Sequence, residues 1–353
     1  MADVATQSSS LGEGRVIVLG IESTAHTFGV GIVSSEPPYI LADVRRIYRP
    51  REGGILPREV AAFFSQVAGS AIGEALQEAG VSIEEVDAIA VALGPGMGPA
   101  LRVGATVARA LASRYNKPLV PVNHAVAHME IARFTTGLYD PLGVYLAGGN
   151  TSILSYVAGR YRVFGETLDI ALGNLLDTFA REVGIAPPYV RNGMHAVDIC
   201  AEDGSYIGML PYVVKGQDVS YSGLLTAALK LVRDGARLAD VCYTLREIAF
   251  SSIVEVAERG VAHTGKRELV LTGGVAANRV LVEKMREMAE WQGVRFSPVP
   301  SRYSGDNGVM IAVTGLMAFL SGVIVEPSRA YINQRWRVDR VDLPWYPSII
   351  GMR

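Results

Sequence analysis

The sequence predicts a two-lobed α/β protein in which one half echoes the other. Strands alternate with helices along most of the 353 residues, the pattern of largely parallel sheets with helices on their faces. A strand–turn–strand unit occurs twice, at Arg15 to Val33 and at Tyr145 to Val157, each with small hydroxyl or amide residues at its turn. That echo suggests a duplicated architecture, with the second lobe beginning near Pro141. Hydrophobic residues make up 49% of the chain and charged residues 19%, enough to bury a large core with little disorder.

In order along the chain, the first unit turns around Ser23-Thr24-Ala25-His26-Thr27. Arg58 to Gly80 reads as helix, Ala88 to Leu93 as a buried strand, Gly94-Pro95-Gly96-Met97-Gly98 as a loop, and Leu101 to Tyr115 as helix. Pro118 to Val122 is a short strand leading into a helix that carries two histidines. The second unit turns at Gly148-Gly149-Asn150-Thr151 and is followed by a strand at Tyr161 to Gly165. Leu172 to Val183, Leu224 to Asp234 and Leu245 to Thr264 are helical. Glu268 to Leu271 is a strand, Gly273-Gly274 a turn, and Ala277 to Gln292 a helix. The predicted organisation is a disordered polar tail (1–14), an N-terminal lobe (15–140), a C-terminal lobe (141–341) and a short C-terminal tail (342–353).

Composition narrows the classes. Net charge is −2, so whole-molecule attraction to nucleic acid is not indicated and only local patches remain. The two cysteines, Cys200 and Cys242, make no disulfide framework and lie in no Cys-x-x-Cys motif; a reducing cytosol is the simple reading. The first residues lack the basic and apolar regions of a signal peptide. Gly308 to Val325 is uncharged and close to membrane-spanning length. Its glycines and its start straight after Asp306-Asn307 read instead as a buried helix of the α/β core.

The most concentrated chemistry is His124-Ala125-Val126-Ala127-His128. An i, i+4 spacing on a helix puts both imidazoles on one face, within reach of one metal ion. The chain has only five histidines. A zinc peptidase of the His-Glu-x-x-His type needs a glutamate directly after the first histidine as general base; here that residue is Ala125. His195 and His263 have no ligand-like spacing partner and read as structural or surface residues, and His26 is likewise isolated.

Asp306-Asn307-Gly308 admits two readings, helix capping or a carboxylate ligand opposite the histidines. On this motif alone capping is the commoner. The turns at Gly94–Gly98, Gly148–Thr151 and Gly273–Asn278 let backbone approach a phosphate, yet none matches a P-loop or a full dinucleotide fingerprint. Each singly is more often a tight turn; together they make nucleotide binding an even alternative. Arg45, Arg46, Arg49, Arg51 and Arg58, and Arg329, Arg335, Arg337 and Arg340, could contact phosphates, although a solvated surface is the commoner explanation.

Taken with Gly20 to Thr27, Asn123 to Glu130, Tyr145 to Thr151, Glu166 to Asp169, Asp177 to Arg181, Asp218 to Gly223, Gly273 to Asn278 and Asp306 to Gly308, the chain resembles the TsaD/OSGEP family. These are the universal tRNA threonylcarbamoyl transferases, once described as O-sialoglycoprotein endopeptidases. The likeness runs from about Val16 to Val341. Its Ala25-His26-Thr27 version resembles the archaeal and eukaryotic branch, which works in the KEOPS complex with a small kinase-like subunit and accessory proteins.

The resemblance implies a duplicated actin/Hsp70-like fold with a nucleotide cleft between its lobes, a cytoplasmic setting, and no membrane. It implies metal-dependent transfer of a threonylcarbamoyl group from its adenylate to N6 of the tRNA adenosine next to the anticodon. It gives His124, His128, Tyr145 and Asp306 as ligands of one divalent iron or zinc. ATP or the adenylate would contact Asn150, Thr151, Asp177 and Asn278, with Tyr145 beside them and Gly148, Gly149 and Gly274 permitting close approach.

The chain departs from the family at Gly53-Gly54-Ile55-Leu56, where a histidine usually precedes the proline, and at Phe63-Phe64, where histidines are common. It departs again at 186–194, where a Pro-Gly-Gly-Pro turn and a ribose-binding glutamate are replaced by Ala186-Pro187-Pro188 and the residues up to Met194, with Asp198 a possible substitute for the acid. That changed turn supports a second hypothesis, a nucleotide-binding scaffold without transfer activity. A metallopeptidase rests only on the histidine pair.

Overall fold

A computed structural model describes residues 14–50, 54–185, 194–208, 210–349 and 351. The chain forms two compact units. One comprises the chain up to Gly137, Val157–Tyr161 and the chain from Asp306; the other comprises Leu138–Tyr156 and Arg162–Gly305.

The first unit is built on a sheet of β1 (Ile17–Glu22), β2 (Thr27–Ser34), β3 (Ile40–Ile47), β4 (Ala88–Gly94) and β5 (Leu119–Asn123), in the order β3-β2-β1-β4-β5. β1 pairs antiparallel with β2 and parallel with β4. Every residue of β1, β2 and β4 is buried, as expected of strands covered on both faces. On one face Ile17, Leu19, Ile21, Phe28, Val30 and Ile32 pack against α1 (Pro57–Ala79) and α2 (Gly98–Tyr115). β3 escaped the sequence reading because it is an edge strand whose Arg45 and Arg46 break the apolar run; Ala42 and Val44 are its inward residues.

The other face takes α3 (His124–Thr136) and α10 (Gly308–Leu320). α10 sits directly on the strands because the sheet presents glycines beneath it. A Cβ at Gly20 would lie 2.3 Å from Ala312 N, and one at Gly31 would lie 2.4 Å from Val309 N. Only the absence of a side chain permits that approach. This corrects the predicted organisation: Asp306 to Val341, expected in the C-terminal lobe, belongs to the first unit. The apolar run forms a buried helix as far as Leu320, its last residues to Val325 lying outside the helix, and among the described residues no helix is long and apolar enough to cross a membrane.

The second unit holds most of a sheet of β6 (Leu142–Ala147), β7 (Asn150–Val157), β8 (Arg160–Glu166), β11 (Glu268–Thr272) and β12 (Arg295–Pro298), ordered β12-β11-β6-β7-β8; only the β7–β8 tip, Val157–Tyr161, belongs to the first unit. β6 is antiparallel to β7 and parallel to β11, and β11 is parallel to β12. Strand for strand this is the order of the first sheet, so the internal echo is a duplication of topology. A small hairpin, β9 (Val214–Lys215) and β10 (Asp218–Val219), and helices α4 (Leu172–Glu182), α5 (Ala196–Cys200), α6 (Ser222–Arg233), α7 (Leu238–Thr264), α8 (Arg279–Trp291) and α9 (Ser301–Ser304) complete it.

Cys200 and Cys242 form a disulfide between α5 and α7, with Cα atoms 5.9 Å apart. The sequence reading of two ordinary thiols is therefore corrected. Cysteines separated by 42 residues carry no local signal; only the packing of α5 on α7 brings them together.

Candidate metal centre

The histidine pair is positioned by the β5–α3 junction. Asn123 ends β5, and its Oδ1 accepts from Ala125 N and Val126 N at 3.0 and 3.2 Å. This cap satisfies free helix amides and makes His124 the first helical residue. His128 follows one turn later, and the two rings lie 4.7 Å apart.

Asp306 enters from the start of α10. Its Oδ1 is 3.2 Å from His128 Nε2 and 3.6 Å from His124 Nε2. Asn307, not Asp306, caps α10, accepting from Met310 N at 2.8 Å. The capping reading of Asp306 is thus replaced by a division of labour between adjacent residues. Ligand atoms of His124, His128 and Asp306 all lie within 4.8 Å of one another.

A fourth residue completes the centre, and the sequence reading assigned it no role. Glu22, fully buried at the end of β1, places Oε2 2.9 Å from His124 Nδ1. Its Oε1 accepts from Thr24 N and Thr24 Oγ1 at 2.6 and 2.5 Å. A carboxylate on Nδ1 fixes the proton there and leaves Nε2 facing Asp306, the arrangement that orients metal-binding histidines. The only sequence signal was an acid at a strand end, two residues before a threonine.

Burial opposes a charge on His124, but Glu22 and Asp306 outweigh it and raise its pKa to about 9. Burial lowers that of His128, offset only in part by Asp306. Burial also acts against ionised Asp306, yet His124 and His128 hold it well below the usual carboxylate range. Once His124 gives up its Nε2 proton, as a ligand must, two imidazole nitrogens and one ionised carboxylate with an orienting carboxylate behind suit a divalent first-row metal. All these residues belong to the first unit. Tyr145, the fourth expected ligand, belongs to the second, buried on β6 opposite Ser152 and Thr272.

The loop Gly94–Gly98 lies under this centre. Met97 N donates to Thr24 O at 2.8 Å, and a Cβ on Gly96 would lie 2.6 Å from the same oxygen. Close packing against Thr24 therefore accounts for Gly96, while Gly94 and Gly98 face Asn333 O and the Gln334 side chain.

In the second unit the expected nucleotide residues lie on two turns, on α4 and at the start of α8. Thr151 Oγ1 accepts from Leu172 N at 2.9 Å, and Asn174 N donates to Gly148 O at 3.1 Å, so the β6–β7 turn is tied to the start of α4. Gly148, Gly149 and Asn150 are exposed on that turn. Gly273, at φ +93°, passes so close to β6 that a Cβ would lie 2.4 Å from Leu146 O. Gly274 follows it and opens the short turn before α8.

Asp177, on α4, meets His195 Nε2 at 3.0 Å; His195 Nδ1 in turn accepts from Val197 N and caps α5. Asn278 caps α8 through Oδ1 and donates through Nδ2 to Asp198 Oδ2 at 2.6 Å. Burial raises the Asp198 pKa, against the pull of Arg246. His195, expected to be a structural or surface residue, thus links α4 to the cap of α5, and Asp198 is the residue named beside the changed turn. The turn itself, 186–193, lies outside the described residues, as do Gly53 and Arg51 of the first arginine cluster.

Arg45 pairs with Asp43, Arg46 with Glu74, and Arg337 with Asp339. Arg49, Arg58, Arg329, Arg335 and Arg340 are exposed. At Phe63-Phe64, Phe64 packs edge-on against Phe28 with centroids 5.4 Å apart, and Phe63 lies against Tyr48. Core packing explains aromatics there.

The family model described as "TsaD: tRNA N6-adenosine threonylcarbamoyltransferase" matches residues 40–313. A protein of that name from Aeropyrum pernix is 73% identical over 96% of this chain and 97% of its own length. One from Hyperthermus butylicus is 60% identical over 94% of this chain and 92% of its own. Among solved structures, T. kodakarensis HypF superposes with a TM-score of 0.57 at 16% identity, covering 88% of this chain and 47% of HypF. Component A of the Acidaminococcus fermentans (R)-2-hydroxyglutaryl-CoA dehydratase superposes with a TM-score of 0.51 at 14% identity, covering 87% of this chain and 99% of that one. These two likenesses establish the shared fold, a duplicated actin-like α/β architecture. The extent and identity of the sequence matches establish more: the chain belongs to the tRNA N6-adenosine threonylcarbamoyltransferase family.

Proposed function

We propose that this protein transfers the threonylcarbamoyl group from threonylcarbamoyl-adenylate to N6 of the adenosine next to the tRNA anticodon, using one divalent iron or zinc held by His124, His128 and Asp306. The observation that carries this reading is the three-residue cluster with Glu22 behind it. A metal bound there supplies Lewis acidity toward charge developing on the donor.

The chain's own residues set up the rest. The donor is a mixed anhydride with AMP as leaving group, so the protein must chiefly hold and orient it against the amine. The glycine turns at 148–149 and 273–274, with Thr151 fixing the start of α4, offer backbone to the nucleotide part; Asn150 and Asp177 are the side chains proposed to contact it. Asn278 is proposed to reach it from the cap of α8. Tyr145 stays a candidate ligand on the resemblance alone, and Tyr145→Phe tests it.

Peptide hydrolysis is the poorer fit. The position after His124 is a buried alanine, and Glu22 is occupied by Thr24 and His124. Work within a KEOPS-type assembly in the cytoplasm belongs to the same proposal. A reconstituted reaction with tRNA, the adenylate donor and partner subunits tests it: His124→Ala and Asp306→Ala should each abolish N6 modification, and full activity in both would exclude the metal assignment.

A further inference from the structure

α3 carries a second polar constellation on the side opposite its histidines. Helical periodicity turns Glu130 and Arg133 away from His124 and His128, and both are fully buried. Glu130 Oε2 accepts from Arg133 Nη1 at 2.6 Å, and Glu130 Oε1 accepts from Tyr161 Oη at 2.7 Å. Arg133 Nη2 donates to Pro347 O at 2.7 Å, and its guanidinium lies 4.0 Å over the Tyr346 ring. Tyr346 meets Tyr161 edge-on with centroids 6.0 Å apart. Leu343, Trp345, Tyr346 and Ile349 are all buried, and Leu343 N donates to Gly159 O at 2.9 Å, so the segment that receives Arg133 is itself seated.

Stability alone does not call for this arrangement. A buried ion pair recovers its desolvation cost only with complete hydrogen bonding, and apolar replacements of similar volume are often neutral or better. Directional bonds do something apolar packing does not. The other residues of the helix from His124 to Arg133, apart from His128 and Glu130, are Ala125, Val126, Ala127, Met129, Ile131 and Ala132, whose apolar contacts carry no directional bond. A metal site tolerates ligand displacements of only about 0.2 Å.

We propose that Glu130 and Arg133, latched to Tyr346 and Pro347, are positioning residues that fix the rotation and axial placement of α3, and with them His124 Nε2 and His128 Nε2. The inference rests on the reading of His124, His128 and Asp306 as a metal site. Asn123 anchors the start of the helix; this latch anchors its far end.

The test is a cobalt(II) titration of the full chain followed by visible absorption, alongside thermal melting. The Glu130→Leu/Arg133→Met double variant and Tyr346→Leu should each lose about tenfold in cobalt affinity. Tyr346→Phe, which keeps the ring face under the guanidinium, should bind as the wild type does. Wild-type affinity in both the double variant and Tyr346→Leu, whatever their melting temperatures, overturns the inference and leaves the metal reading standing. Failure of the wild type to take up cobalt, or uptake untouched by Asp306→Ala, overturns the metal reading instead, and this inference with it. Should the double variant not fold, the Tyr346→Leu against Tyr346→Phe contrast decides.

Discussion

Glu22 Oε2 lies 2.9 Å from His124 Nδ1, both groups buried. A strand end is thereby joined to the first turn of a helix more than a hundred residues later, and the imidazole is held with Nε2 toward Asp306. Outer carboxylates of this kind are worth about 10–100-fold in metal affinity. Glu22→Ala should therefore weaken cobalt binding by that order without unfolding the protein, as read by titration and circular dichroism; unchanged affinity would deny Glu22 its orienting role.

Adjacent residues at the start of α10 should separate cleanly. Asn307→Ala removes the bond from Met310 N and should lower stability by about 1 kcal/mol, the usual worth of an N-cap, while metal uptake persists. Asp306→Ala should instead lose the metal, together with the stability that its pairing with His124 and His128 gives the metal-free protein. Denaturant melts and bound-metal analysis of both variants give the comparison.

The disulfide should be a stabilising cross-link. Closing a loop across a separation of 42 residues corresponds to about 4 kcal/mol in the chain-entropy account. Cys200→Ser should show a loss of that order in non-reducing denaturant titrations, and dithiothreitol should bring the wild type down toward the variant. Equal stabilities with and without reductant would contradict this.

Asp169 supplies a pH signature. Burial acts to raise its pKa, but bonds from Ser220 Oγ and the amides of Tyr221, Ser222 and Ile170 bring it down to about 2, below the ordinary 3.8. A folded pKa below the unfolded one adds stability above the unfolded value and loses it as pH falls through the folded one. The stability gap between wild type and Asp169→Asn should thus be level above about pH 5 and shrink most steeply between pH 3.8 and about 2. A gap independent of pH over that window would remove the carboxylate from the account.

Much of this was legible in the sequence because it is local. The histidine spacing, the glycine turns and the uncharged run before Val325 each follow from periodicity or turn chemistry within a few residues. What escaped was non-local. Glu22 and His124 meet only because β1 and β5 flank β4 in one sheet. The Cys200–Cys242 pair needs α5 packed on α7, and the assignment of α10 to the first unit depends on Gly20 and Gly31, far earlier in the chain, opening a seat for it. Asp306 was ambiguous because a cap and a ligand use the same oxygens; the cap of α10 falls to Asn307.

The central claim is that His124, His128 and Asp306 hold a metal on which transfer depends. The most direct measurement is bound metal by mass spectrometry and N6-threonylcarbamoyl transfer to tRNA, both on the same preparations of wild type, His128→Ala and Asp306→Ala in the reconstituted system. About one metal ion per wild-type chain, with metal and transfer lost together in both folded variants, is the predicted result. Transfer at the wild-type rate by variants that carry no metal would contradict the account.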